Sequence, residues 1–269
     1  MKNFITSHKK IVLFSVMIIV LALILTTAGI TGIQLQNKSN ISVSDINTCS
    51  IPTGKITAHG IDVSKYQGDI DFKKVKKDGY SFVIIRLGTS QGGKDANFER
   101  YYKDASEAGL DIGCYFYTYT YTTNEIKQEA KSILKYIKGK TFNYPVFLDF
   151  EFNSLLNYRR YSINTKMINT YCNVIKQGGY YPGVYTSNSI YNNYIDKYAL
   201  GNKWDFWVAS YLDNTHKSTK YSKSFSMWQY SSNGVVSGIN ARVDLNVAYV
   251  DYPKIIKKFN DEYKNKYKS

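Results

Sequence analysis

The chain has 269 residues, 43% hydrophobic and 21% charged, a balance that excludes a disordered polymer and supplies one large core or two small ones. Its net charge of +14 favours polyanionic surroundings, but the lysines are scattered and no helix-turn-helix or finger signature is present, so nucleic acid is not expected as a partner. Cys49, Cys114 and Cys172 form no CxxC pair and have no histidine at ligand spacing, so no metal, disulfide framework or cofactor is expected.

Lys2, Lys9 and Lys10 lie in a basic flank, residues 1–10, ahead of the uncharged apolar run Ile11–Ile33. About 20 residues of helix span a hydrocarbon core, and the positive flank predicts residues 1–10 inside and the rest of the chain outside the cell membrane. The alternative is a signal segment cut near Ala28 and a secreted protein. Residues 34–57 are polar and aperiodic, as a linker would be.

From His59 onward, short β-rich apolar runs alternate with amphipathic or turn-rich stretches. Eight strands are predicted, at His59–Ser64, Phe82–Gly88, Ile112–Tyr119, Pro145–Glu151, Tyr181–Thr186, Phe206–Tyr211, Ser226–Tyr230 and Arg242–Val247. Helical spacing marks Phe72–Asp78, Asn97–Ala108, Asn124–Ile137 and Thr165–Gln177, the last closed by Gly178 and Gly179. This pattern predicts a compact, irregular (β/α)8 barrel of the TIM type over residues 58–252, with helices missing or degenerate in its second half. The Lys-rich tail, residues 253–269, reads as a solvated terminal helix that adds attraction to anionic wall polymer.

Barrel enzymes place their chemistry at strand ends, and three predicted strands carry acids in apolar surroundings: Asp62, the pair Asp149 and Glu151, and Asp244. Asp149 and Glu151 project from one face of an extended strand. Two acids so placed are costly unless partnered or functional, and mutual repulsion turns one into a proton donor, as glycoside hydrolysis requires. The first and eighth strands of a closed barrel adjoin, so Asp62 and Asp244 should approach each other. The bland alternative pairs such acids with Arg86 or Arg242. The histidines His8, His59 and His216 adjoin no nucleophile motif, and no phosphate loop is present.

The segments GIDVSKYQGDIDF, GYSFVIIRLG, EAGLDIGCYFY, YPVFLDFE, YYPGVYTS, WVASY, MWQYSS and RVDLN occur in this order over about residues 58–250. Together they resemble the glycoside hydrolase family 25 muramidases, lysozymes of the fungal, Streptomyces and phage type. The resemblance implies a peptidoglycan hydrolase that cleaves the β-1,4 bond between N-acetylmuramic acid and N-acetylglucosamine. It further implies Glu151 as general acid, Asp149 as the residue that orients the substrate's 2-acetamido group or stabilises positive charge, and Asp62 and Asp244 as their acidic support. The chain departs from the family's Tyr-His-Phe pattern at Tyr115-Phe116-Tyr117.

Tyr66, Tyr115, Tyr117, Tyr185, Tyr211 and Trp228 are the aromatic candidates for lining a glycan groove, each set against simple packing. The alternative to an enzyme is a membrane-tethered, catalytically silent protein that binds cell-wall glycan. Its simplest sign would be a missing acid, and all four are present.

Overall fold

The computed structural model describes residues 55–152, 156, 158–211 and 225–267. The apolar segment 11–33, nearly all of the linker, Cys49 and His216 lie outside the described residues. Nine strands form one sheet: β1 Ala58–Val63, β2 Phe82–Thr89, β3 Gly93–Lys94, β4 Asp111–Tyr117, β5 Val146–Asp149, β6 Pro182–Ser187, β7 Asp205–Ala209, β8 Met227–Gly234 and β9 Val243–Ala248. The helices are α1 Phe72–Lys77, α2 Phe98–Glu107, α3 Thr123–Tyr136, α4 Tyr161–Gln177, α5 Asn188–Asn193, α6 Lys197–Gly201 and α7 Tyr252–Tyr267.

All the strands except β3 close into a barrel, sealed by the pairing of β1 with β2, in agreement with the fold expected from the alternating pattern. β3 was not anticipated; it folds back antiparallel on β2 beside a bulge between Arg86 and Gly88. The larger departure is β9, which runs antiparallel to both β8 and β1. No helix lies in residues 235–242 between β8 and β9, and a parallel return needs a crossover of a dozen residues or more. Between β6 and β7 only the short α5 and α6 remain, as expected of a degenerate second half.

Local chemistry sets the better-formed helices. Thr122 and Glu125 form a reciprocal capping box at the start of α3, which satisfies amide groups that a helix leaves unpaired. α3 and α4 bury Ile126, Ala130, Ile133, Met167, Ile168, Tyr171 and Ile175 against the outer barrel face. Burial of one such side chain stabilises the fold by about 1.5–3 kcal/mol.

Strand alternation sorts the remaining side chains. Ile61, Val83, Ile85, Cys114, Val146, Leu148, Val184 and Val208 face the helices, while Phe82, Ile84, Phe147, Trp207 and Met227 belong to a separate inner cluster. A narrow barrel cannot hold a large residue from every strand at one level. A Cβ at Gly60 would lie 2.3 Å from the Phe82 ring, and one at Gly183 would lie 2.5 Å from Phe147. Aromatic rings therefore fill space that glycines vacate, forming a solid plug beneath the upper layer. α7 completes the lower end with Tyr252 and Ile256 in this inner cluster. The tail is thus packed at its start rather than solvated throughout.

Candidate active site

The inward positions above the plug are polar. On β1, Gly60 is followed two residues later by Asp62; on β5, Phe147 is followed by Asp149. Glu151 lies just past β5, held by Phe150, whose amide donates to the Tyr185 carbonyl at 2.9 Å and whose carbonyl accepts from Thr186 Oγ1 at 2.7 Å. Asp244 comes from the start of β9. Because β9 runs antiparallel, its start lies level with the ends of the parallel strands, and Asp62 and Asp244 are register partners. The four acids line one cavity of about 240 Å³, with Arg86, Tyr115, Tyr117, Tyr185, Trp207 and Gln229 around them.

A directed set of hydrogen bonds supports the floor. Asp62 Oδ2 accepts from Gln229 Nε2 at 2.9 Å and from Asn246 Nδ2 at 2.8 Å. Gln229 Oε1 accepts from the hydroxyls of Tyr185 at 2.9 Å and Tyr211 at 2.6 Å, and Asn246 Oδ1 accepts from Trp207 Nε1 at 2.9 Å. Both amides are thereby oriented with their N–H groups toward Asp62. Oδ2 is thus taken up by two donors, and Asp244 is the register partner of Asp62 across β1 and β9.

Burial dominates the acidity of the site. Burial and the Asp244 charge hold the Asp62 carboxyl well above the usual aspartate range, against the opposing pull of Asn246 and Gln229. Burial, then Glu151 and Asp62, raise Asp149 in the same way, with Arg86 opposing. Glu151 is raised by burial and by Asp244, and the nearby Tyr185 hydroxyl partly offsets the rise. Close acids cannot all ionise together, so protons are retained here at pH values where exposed carboxylates have lost theirs. Asp149 Oδ1 is buried and has no hydrogen-bond partner among the described residues.

Arg86 does not pair with these acids. Its Nε and Nη2 both reach Asp95 Oδ2, at 2.8 and 2.6 Å. The β2–β3 hairpin makes this possible, since the Asp95 amide returns to the Leu87 carbonyl at 2.8 Å. Arg86 still lines the cavity, and its charge opposes the rise of Asp149.

Of the aromatic candidates, Tyr115, Tyr117 and Tyr185 line the cavity. Tyr211 is 54% exposed and reaches the floor through its hydroxyl. Tyr66 is 72% exposed and stands outside, its ring centroid 4.9 Å from the Arg86 guanidinium carbon. Trp228 is not brought to the site: it faces the helix layer, 3% exposed, and donates to the Ser210 carbonyl at 2.9 Å. Alternation on β8 turns Gln229 inward and Trp228 outward, and Trp207 on β7 supplies the indole inside. Trp207, Gln229 and Asn246 were missed as site residues, although WVASY, MWQYSS and RVDLN contain them; period-two alternation anchored on Val208 would have selected Trp207.

Acids gathered at one end of a closed barrel, with aromatic rings beside them, meet the requirement of glycoside hydrolysis for paired carboxyl groups. Residues 61–239 match the family model for Glycosyl hydrolases family 25, and the chain belongs to that family. The uncharacterized protein YegX of Escherichia coli K12 is 28% identical over 197 residues, 71% of this chain and 69% of that protein. Lysozyme M1 of Streptomyces globisporus is 27% identical over 208 residues, 72% of this chain and 69% of that protein. Among solved structures, the bacterial lysozyme of Streptomyces coelicolor is 26% identical, with a TM-score of 0.62 over 76% of this chain and 97% of that one. The modular autolysin LytC of Streptococcus pneumoniae, in complex with a synthetic peptidoglycan ligand, is 29% identical, with a TM-score of 0.61 over 71% of this chain and 46% of that one.

Proposed function

We propose that this glycoside hydrolase is a muramidase in which Glu151 protonates the oxygen leaving the β-1,4 bond between N-acetylmuramic acid and N-acetylglucosamine. The chain is a peptidoglycan hydrolase of the lysozyme class. The observation that carries the residue assignment is the gathering of Asp62, Asp149, Glu151 and Asp244 in one cavity, with Glu151 raised toward its protonated form. General acids work best when their pKa lies near the working pH.

Asp149 supplies the second function. Its buried Oδ1 lacks a donor, and the N–H of a 2-acetamido group would provide one. That hydrogen bond favours the charged form of Asp149 and leaves the proton on Glu151. The acetamido oxygen is then free to turn toward the anomeric carbon, the substrate-assisted variant of glycoside hydrolysis. Asp62 and Asp244 hold the proton balance beneath.

The domain Ile56–Ser269 and its Glu151→Gln variant, each incubated with purified peptidoglycan, test this by mass spectrometry of the released fragments. New reducing ends on N-acetylmuramic acid from the parent alone are expected. Binding by both proteins with release by neither would favour the silent glycan-binding reading instead.

The proposed location is the outer face of the cell membrane, with Ile11–Ile33 as anchor, supported by the length and flanking charge of that segment. Membrane fractionation and N-terminal sequencing of the native protein decide between an anchor and a cut near Ala28.

A further inference from the structure

In a barrel of this kind the chain rises along the strands and descends along the helices, so strand starts and helix ends collect at one end. That lower end lies opposite the acid cavity. Lys77, Lys135 and Lys176 occupy the last turns of α1, α3 and α4, where the helix dipole favours cations. Lys138 before β5, Lys203 before β7 and Lys254 at the start of α7 extend the same face, and all six side chains are exposed. The exposed acids Asp78, Glu107 and Asp251, the half-buried Asp111 at the start of β4, and Asp261 and Glu262 on α7 oppose them in part, while Asp205 turns inward to accept from the Tyr181 hydroxyl at 3.0 Å. While the four acids lie in the cavity at the other end, the lower end thus gathers exposed lysines.

Two further observations concern the same end. Thr57, in the segment leading into β1, is fixed there by its hydroxyl, which bonds the carbonyls of Ala248 at 3.0 Å and Val250 at 2.9 Å. The segment leading into β1 thus enters the barrel at this end. Beside α7 a groove of about 390 Å³ is lined by Tyr180, Tyr181, Tyr263 and Lys264 among others, with Lys140 paired to Glu99 at 2.6 Å on its wall. Tyrosine suits the depth of lipid headgroups, and lysine meets their charge.

We propose that the lower face is a docking surface for anionic lipid headgroups, which seats the barrel on the membrane with its cavity turned outward to the wall. This rests on the membrane location above. Basic residues are drawn to an anionic leaflet within about a Debye length, so the lysines of this face hold the domain to it.

The domain Lys55–Ser269 carries the whole described core and lacks the apolar segment, so its partition onto vesicles reports on this face alone. The probes are phosphatidylcholine vesicles with and without phosphatidylglycerol, at low and high salt. The parent should bind only the anionic vesicles and leave them in high salt. The triple variant Lys135→Gln, Lys138→Gln, Lys254→Gln should bind on the order of 10- to 100-fold more weakly, while Lys127→Gln, Lys131→Gln, Lys166→Gln should bind as the parent does. Turnover of soluble glycan fragments should be equal in all three proteins. Absence of vesicle binding, or equal loss in both triples, overturns the proposal. So does a need for the lower lysines on isolated walls bearing anionic polymer but not on vesicles, which would make the wall polymer the partner. A full-length chain recovered from the medium would remove the anchor while leaving the vesicle result to stand separately.

Discussion

Asp62 and Asp244 are register partners across the antiparallel pairing of β1 with β9, and both line the acid cavity. The pair is raised above the usual aspartate range by burial, with two amides opposing at Asp62 Oδ2. Its charge is felt by Glu151, which Asp244 raises.

Asp244→Asn removes that neighbouring charge and should lower the Glu151 pKa. Activity requires protonated Glu151, so the alkaline limb of the kcat/KM profile should move to lower pH. The position of the limb is the readout, whatever the loss in height. A limb that stays in place would separate Asp244 from Glu151 electrostatically.

Glu151→Gln should reduce kcat by about 10²–10⁴ and leave thermal unfolding nearly unchanged, since the amide replaces a carboxyl that is itself raised toward neutrality. Steady-state turnover and a melting curve on the same preparation check both halves.

Stability should fall with rising pH. Asp62 and Asp149 have folded pKa values above their unfolded ones, so the folded state binds more protons between about pH 4 and those folded values. Their contribution is complete below the unfolded value and is lost as pH rises through the folded one. Melting temperatures should therefore be higher at about pH 5 than at about pH 7.5, and Asp62→Asn should flatten the difference. A steeper slope in Asp62→Asn would reverse the assignment.

The two tryptophans separate site from packing. Trp207→Phe removes the donor that orients Asn246 and should impair turnover. Trp228→Phe removes only the bond to Ser210 and should cost about 1–3 kcal/mol in stability with kcat nearly intact. Equal catalytic losses in the two variants would contradict this placement.

Glu129, buried on α3, accepts from Ser90, whose hydroxyl oxygen accepts from the Tyr119 amide at 2.8 Å. Tyr119 packs 4.7 Å from Tyr117 in the cavity wall. Glu129→Ala should raise KM for glycan more than it lowers kcat, and Glu129→Gln should restore most of the loss. Kinetics on a soluble oligosaccharide would show the split.

The sequence by itself determined what short-range chemistry controls. Alternating apolar runs give strands, Thr122 and Glu125 cap α3, and Asp149 and Glu151 fall on one face because the strand period is two. The ordered motifs from GIDVSKYQGDIDF to RVDLN carried the family. What the tertiary structure decided was direction and partnership. Asp244 stands near the start of its strand, and only the antiparallel course of β9 lifts it to the level of Asp62. Arg86 carries no label that reserves it for Asp95; the bulge and hairpin after β2 bring them together. In SMWQY, apolar residues flank no single face, so the choice of Gln229 over Trp228 for the interior fell to barrel closure, which fixes the register of β8 against β7 and β9. Period and propensity act over a few residues, whereas strand direction and register are settled by contacts far apart in the chain.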